Sequence, residues 1–170
     1  MRVCLDTNVI IDILGQTDDF FDSYTAFDVS LLRSFQIFIP LTSTADIACI
    51  LPRRNLASTL QTKVSLLLLL TLVEVLDARS VDVTKALESS MPDYGDALLA
   101  CMAQRNDVDL IITRNIKDFE RSPVPAMTPK QFIELYKPPD VEYAKMSADA
   151  SALMLFSSYS ETAKEPICET

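Results

Sequence analysis

Val3-Cys4-Leu5 runs straight into Asp6-Thr7-Asn8, and the apolar residues resume from Val9 to Leu14. Three apolar residues, a polar break with a carboxylate at its head, then a longer apolar segment is the pattern of a strand, a turn and a helix. In an open α/β sheet, ligand sites gather just beyond the carboxyl ends of the strands, so an aspartate at that junction is placed to hold a metal or a substrate. Thr7 or Asn8 is the expected cap of the helix.

Working outward, the same alternation repeats. A helix is expected over residues 24–35, and Gln36-Ile37-Phe38-Ile39-Pro40 reads as a strand closed by proline. Thr42-Ser43-Thr44 offers a cap for a helix over 45–51, with Asp46 in its first turn and Pro52 at its end. Asn55 is the expected cap of a long helix reaching about Leu70. Beyond it come a strand over 73–76, a helix over 81–89 and, after Met91-Pro92-Asp93, a helix whose buried face is Ala97, Leu98, Cys101 and Met102. Asp109 to Thr113 is the clearest strand. A turn over 114–119 leads to an edge strand near Pro125-Ala126-Met127, and Pro129 opens a helix to Tyr136 from its first position. Strands alternating with helices argue for a parallel sheet with right-handed crossovers, hence an α/β fold. Residues 137–170 begin with Pro138-Pro139, hold one weak helical stretch around 148–156 and end polar, so they read as an appendage to a domain spanning 1–136.

Composition narrows the chemistry. The 170 residues fit one domain and its tail, with a hydrophobic fraction of 49%. Two glycines, Gly15 and Gly95, are too few for a P-loop or a dinucleotide fingerprint. The chain has no histidine, which removes Ser-His-Asp and Cys-His catalysis and imidazole zinc sites. Its four cysteines form no C-x-x-C pair, and Cys4, Cys49 and Cys101 read as reduced thiols in apolar surroundings. The net charge of −9 opposes a protein held to nucleic acid by bulk electrostatics, so any such contact must be local. The greasiest window, Val64 to Val73, is half the length of roughly 20 residues that a membrane span needs. It is expected to be a buried helix and its exit loop in a cytoplasmic protein without membrane contact.

Chemistry must then rest on carboxylates, and four places put one at a strand end or a helix start: Asp6, Asp46, the pair Asp93 and Asp96, and Asp118 beside Asn115. A parallel sheet brings the ends of its strands together, so these groups are expected to converge. Carboxylates held that close repel one another unless a divalent cation neutralises them, and hard oxygen ligands select Mg²⁺ or Mn²⁺. Asp93-x-x-Asp96 and Asn115-x-x-Asp118 also have the spacing of a capping box, a role compatible with metal binding.

The motifs in order resemble the PIN-domain ribonucleases, including the VapC-type toxins of bacterial toxin–antitoxin pairs. The matching residues are Leu5 to Asp12, Thr44-Ala45-Asp46-Ile47 with Ile50-Leu51, Asp93 to Leu98, Ile111 to Asn115 with Asp118-Phe119, and Met127-Thr128-Pro129 with Phe132. The resemblance covers about residues 1–136 and leaves 137–170 outside. It implies a three-layer α/β/α sandwich around a central parallel sheet, whose acidic pocket binds Mg²⁺ or Mn²⁺ and hydrolyses RNA phosphodiester bonds. By position it implies Asp6 and Asp96 as the first metal ligands, Asp93 or Asp118 as the further charge, and Asp6, Asp46, Asp96 and Asp118 as the catalytic set. Asp46 stands where many relatives have Glu, and Asn115 where some carry the last acid. Thr7, Asn8 and Asn115 are supporting residues, and Arg53, Arg54, Arg105, Arg114 and Lys117 are candidate contacts to the RNA backbone. It further implies a homodimer and an antitoxin covering the pocket.

Two rivals are weighed against this reading. A phosphatase of the haloacid-dehalogenase type needs a second Asp two residues after the first, where this chain has Asn8. A degenerate PIN-like module that binds RNA or protein without cutting it is favoured by Asn115 and the negative charge, and opposed by the retained aspartates.

Overall fold

The computed structural model describes residues 1–143. Five strands, β1 (Arg2–Leu5), β2 (Gln36–Pro40), β3 (Glu74–Leu76), β4 (Leu110–Ile112) and β5 (Ala126–Met127), form one sheet in the order β3-β2-β1-β4-β5. Every pairing is parallel, with Val3 beside Ile37 on one side and beside Leu110 on the other. Seven α-helices flank it: α1 (Thr7–Gly15), α2 (Phe20–Leu32), α3 (Leu41–Arg53), α4 (Thr59–Leu69), α5 (Ser80–Glu88), α6 (Tyr94–Arg105) and α7 (Pro129–Tyr136), with a 3₁₀ turn over Ile116–Phe119.

Because side chains alternate along a strand, the sheet feeds two separate cores. Val3, Leu5, Ile37, Ile39, Leu110 and Ile112 point to the layer of α1, α2, α3 and α7. Cys4, Phe38, Leu76 and Ile111 point the other way, against Ala97, Leu98, Met102 and Ala103 of α6. The chain builds outward from β1 to β2 and β3, then returns to β1's other side as β4. Right-handed crossovers on the two sides of β1 must lie on opposite faces, which turns the parallel α/β sheet expected from the alternation into the three-layer α/β/α sandwich that the resemblance implies. It also leaves a crevice where the order reverses, between the carboxyl ends of β1 and β4.

Several boundaries differ from the expected ones, each for a local reason. Helix α3 starts at Leu41, directly after Pro40, so Thr42-Ser43-Thr44 are inside it and Asp46 lies in its second turn. Pro40 is still in the sheet, paired with Leu76, and leaves no room for a loop. Ser58, in place of Asn55, caps α4 through a reciprocal box with Gln61. Asn55 instead takes a left-handed turn, φ 56°, a conformation that asparagine tolerates. The 59–69 helix is not the buried one expected: Thr62 and Leu69 face the core, while Leu60, Val64 and Leu67 make an exposed stripe, Leu60 being 72% exposed. Cys49 is exposed too, unlike Cys4 and the half-buried Cys101, and these three thiols are free. Among the described residues no helix is long and apolar enough to cross a membrane.

After α7 the chain returns to α2, where the Tyr143 hydroxyl donates to Asp28 Oδ2 at 2.6 Å; the end of α7 is itself tied to the residue after α2, Arg33 Nε donating to the Tyr136 carbonyl at 2.8 Å. The helical stretch expected around 148–156 lies outside the described residues.

Candidate active site

Asp6 is the first residue beyond β1 and the residue before α1, and it is buried. Its Oδ2 accepts hydrogen bonds from Thr113 Oγ1 at 2.7 Å and Asn8 Nδ2 at 2.5 Å. Thr113 follows β4, so the first of these bonds spans the crevice where the strand order reverses. Thr7 and Asn8 do not cap α1 as expected. Thr7 Oγ1 is 2.6 Å from Ser43 Oγ of α3, and Asn8 Oδ1 accepts from the Arg114 amide at 3.2 Å. Both side chains brace the junction.

The opposite wall is the start of α6. Asp93 caps that helix, its Oδ1 accepting from the Asp96 amide at 3.1 Å, which is half of the expected box. Gly95 sits between them; a Cβ there would stand 3.1 Å from Asp93 Oδ1, so a larger residue would press on the cap. Asp6, Thr7, Asn8, Asp46, Arg54, Asp93, Asp96 and Arg114 all line one cavity of about 520 Å³, with Tyr94 and Ser43 among the others. Asn115 and Asp118 lie outside its lining, joined to each other through Asn115 Nδ2 and Asp118 Oδ2 rather than as a cap. Arg53 and Lys117 are exposed and do not line it. Arg105 is remote from it, salt-bridged to Asp82 at 2.9 Å and to Asp77 at 3.1 Å.

The two key carboxylates differ electrostatically. Burial raises the Asp6 carboxyl above its usual range, against the opposing pull of Thr113, the Thr7 amide, Arg114 and Asn8. Asp96 is pushed up to about 7, first by its own burial and then by the negative charges of Asp6, Asp93 and Asp118. No cation is among the causes that act on it. Among the described residues no three His, Cys, Asp or Glu side chains stand close enough together to hold a metal ion, so the expected convergence is looser than ligand spacing. The donor set nonetheless fits a divalent cation: it is all oxygen, and its charges raise the proton affinity of Asp96.

Sequence reasoning passed over three contributors. Thr113 was visible as the polar end of β4, the strand whose carboxyl end faces that of β1. Asp12 is wholly buried on α1 and accepts from Thr17 Oγ1 at 2.5 Å and Ser23 Oγ at 2.8 Å. With Asp19 it also holds Arg114, at 2.8 and 2.6 Å respectively. That pairing had no local signal.

The PIN domain family model matches residues 2–117, more than half of the chain. The chain belongs to the PIN domain family. Solved structures with the same fold include VapBC2 from Rickettsia felis bound to a DNA fragment from their promoter, at 19% identity over 75% of this chain and 98% of that one, with a TM-score of 0.58. VapBC-1 from nontypeable Haemophilus influenzae aligns at 20% identity over 76% and 99%, TM-score 0.57. A toxin-antitoxin complex from Klebsiella pneumoniae aligns at 19% over 75% and 97%, TM-score 0.55. No curated protein sequence matches the chain. The PIN domain match ends within the 3₁₀ turn that follows β4, so it takes in the strand-end aspartate, the α6 pair and the Thr113 loop.

Proposed function

We propose that this PIN domain is a Mg²⁺- or Mn²⁺-dependent endoribonuclease, the toxin of a toxin–antitoxin pair, with residues 1–136 as the nuclease unit and 137–170 as its extension. The observation that carries the reading is one cavity of about 520 Å³ lined by Asp6, Asp46, Asp93 and Asp96, in which burial first, and then the charges of Asp6, Asp93 and Asp118, push the Asp96 carboxyl up to about 7. Like charges gathered with so little compensation are the signature of a site for a cation. Asp6 and Asp96 would hold it, with Asp93 or Asp118 adding charge. When bound, the ion supplies Lewis-acid stabilisation of the phosphate and lowers the pKa of water at the site.

The chain's own residues do the rest. Thr113 and Asn8 fix Asp6 in one orientation before substrate arrives, and Asp93 stiffens the first turn of α6 beneath Asp96. Asp46, exposed on α3, lines the same cavity and can accept a hydrogen bond from water there. Arg54 at the rim offers a local positive charge to the RNA backbone, as the net charge of −9 demands. The likeness to solved structures such as the toxin-antitoxin complex from Klebsiella pneumoniae supports an antitoxin as partner.

The test is degradation of mixed cellular RNA by the full chain in Mn²⁺, Mg²⁺ and EDTA. Cleavage in metal that is lost in EDTA, and lost in Asp6→Asn and Asp96→Asn, is the expected result. An intact RNA pool under all conditions, with RNA still bound, would make this a PIN module that binds without cutting.

A further inference from the structure

We infer that Arg114 is a positioning residue: Asp12 and Asp19 hold its guanidinium so that the loop after β4 presents its amide to Asn8 and thereby sets Asp6. This rests on the nuclease reading and deepens it, since sequence alone offers Arg114 as an RNA contact. The geometry assigns its charge elsewhere. Nε is 2.8 Å from Oδ2 of the fully buried Asp12, and NH1 is 2.6 Å from Asp19 Oδ2. Asp12 is itself immobilised by the hydroxyls of Thr17 and Ser23. A planar guanidinium ion-paired through two of its nitrogens to two separate carboxylates is fixed in position and direction, which a lysine cannot reproduce.

What that anchor fixes is the segment 113–115. Its three residues deliver the Thr113 hydroxyl to Asp6 Oδ2 at 2.7 Å, the Arg114 amide to Asn8 Oδ1 at 3.2 Å, and the Asn115 amide to Thr113 Oγ1 at 3.0 Å. Asn8 closes the loop by donating to Asp6 Oδ2 at 2.5 Å. A chain of bonds therefore runs from Asp12 and Asp19, through Arg114 and Asn8, to the carboxylate at the end of β1. Asp19 is outside the lining of the acidic cavity and exposed, yet it is part of this chain. Arg54 is the contrast: it lines the same cavity and, among the described residues, has no ion pair.

The experiment compares Arg114→Ala, Arg114→Lys, Asp19→Asn and Arg54→Ala in the full chain, reading kcat and KM for RNA cleavage, the rise in Tm caused by Mn²⁺, and the NMR resonances of the Asn8 side-chain amide. A positioning role predicts a roughly ten- to hundredfold fall in kcat for Arg114→Ala with KM nearly unchanged, the scale on which outer-shell partners of metal sites act. Arg114→Lys should recover part of it. Asp19→Asn should show a smaller loss of the same kind, and in all three variants the Mn²⁺ response should shrink and the Asn8 amide should shift. Arg54→Ala should instead raise KM and flatten its salt dependence. Arg114→Ala that behaves like Arg54→Ala, or Asp19→Asn that leaves kcat, Mn²⁺ response and Asn8 unmoved, would overturn the inference. If the wild type cuts no RNA, the nuclease reading fails by itself while the Mn²⁺ and Asn8 readouts still decide this one.

Discussion

Asp6 and Asp96 face the same cavity from opposite walls, and their surroundings could hardly be less alike. Asp6 is the more deeply buried, but a hydroxyl, a side-chain amide, a backbone amide and the charge of Arg114 all favour its ionised form. Asp96 is only half-buried, and after its own burial the groups that shift it are three other carboxylates. Burial is the first push on both, and the partners differ in sign: they oppose it at Asp6 and add to it at Asp96. The difference divides the labour: the β1 wall is prearranged, while the α6 wall stores repulsion that a cation would relieve.

The largest effect that can break this comparison is on catalysis. Asp6→Asn and Asp96→Asn should each lower RNA cleavage by at least about a hundredfold, as removal of groups acting on developing charge does. Without metal the two should part company. Asp96→Asn removes one charge from a repelling set and should raise the Tm of the apo protein at pH 8, where a gain of about 1 kcal/mol corresponds to roughly 2–4 °C. Asp6→Asn leaves Arg114 with less compensation and turns an acceptor of two hydrogen bonds into an amide, so it should lower the Tm or leave it unchanged. Equal shifts in both variants, read by thermal melts, would erase the distinction.

Acid–base linkage sharpens it. A carboxyl raised in the folded state binds its proton more tightly there than in the unfolded chain, so its contribution to stability is present at low pH and lost as pH climbs through the folded value. For Asp96, moved from 3.8 to about 7, the apo Tm should fall between pH 5.5 and 8.5, and Asp96→Asn should flatten that slope. The stabilisation by Mn²⁺ should grow over the same interval, because the ion competes with the proton that Asp96 holds at pH 5.5.

The junction at Asp6 was legible because it is local: a strand, a carboxylate and a helix follow one another within fourteen residues, and topology alone brings β4 beside it. Asp93 and Asp96 were legible for the same reason, as acids at a helix start. Arg114 was not, since its partners Asp12 and Asp19 lie about a hundred residues away in the chain and only the packing of α1 and α2 brings them near. The start of α3 was hidden by Pro40, which closes a strand and precedes a helix with no residue between. The leucine run 66–70 conceals its own orientation, because uninterrupted leucines carry no period that distinguishes the inner face from the outer.

That last point yields the smallest predicted effect. Leu60→Lys or Leu67→Glu on the exposed stripe of α4 should change monomer stability by no more than about 0.5 kcal/mol, whereas Leu69→Ala on the buried face of the same helix should cost about 2–5 kcal/mol. Urea denaturation of the three variants compares the two faces directly.

The central claim is that Asp6 and Asp96 together make a cation site out of two dissimilar walls. Calorimetric titration of Mn²⁺ into the full chain at pH 8, beside Asp96→Asn and Asp6→Asn, tests it most directly. Binding to the wild type that is lost or greatly weakened in both variants is the expected result. A wild type that takes up no Mn²⁺, or an Asp96→Asn protein that binds it as well as the wild type does, would contradict it.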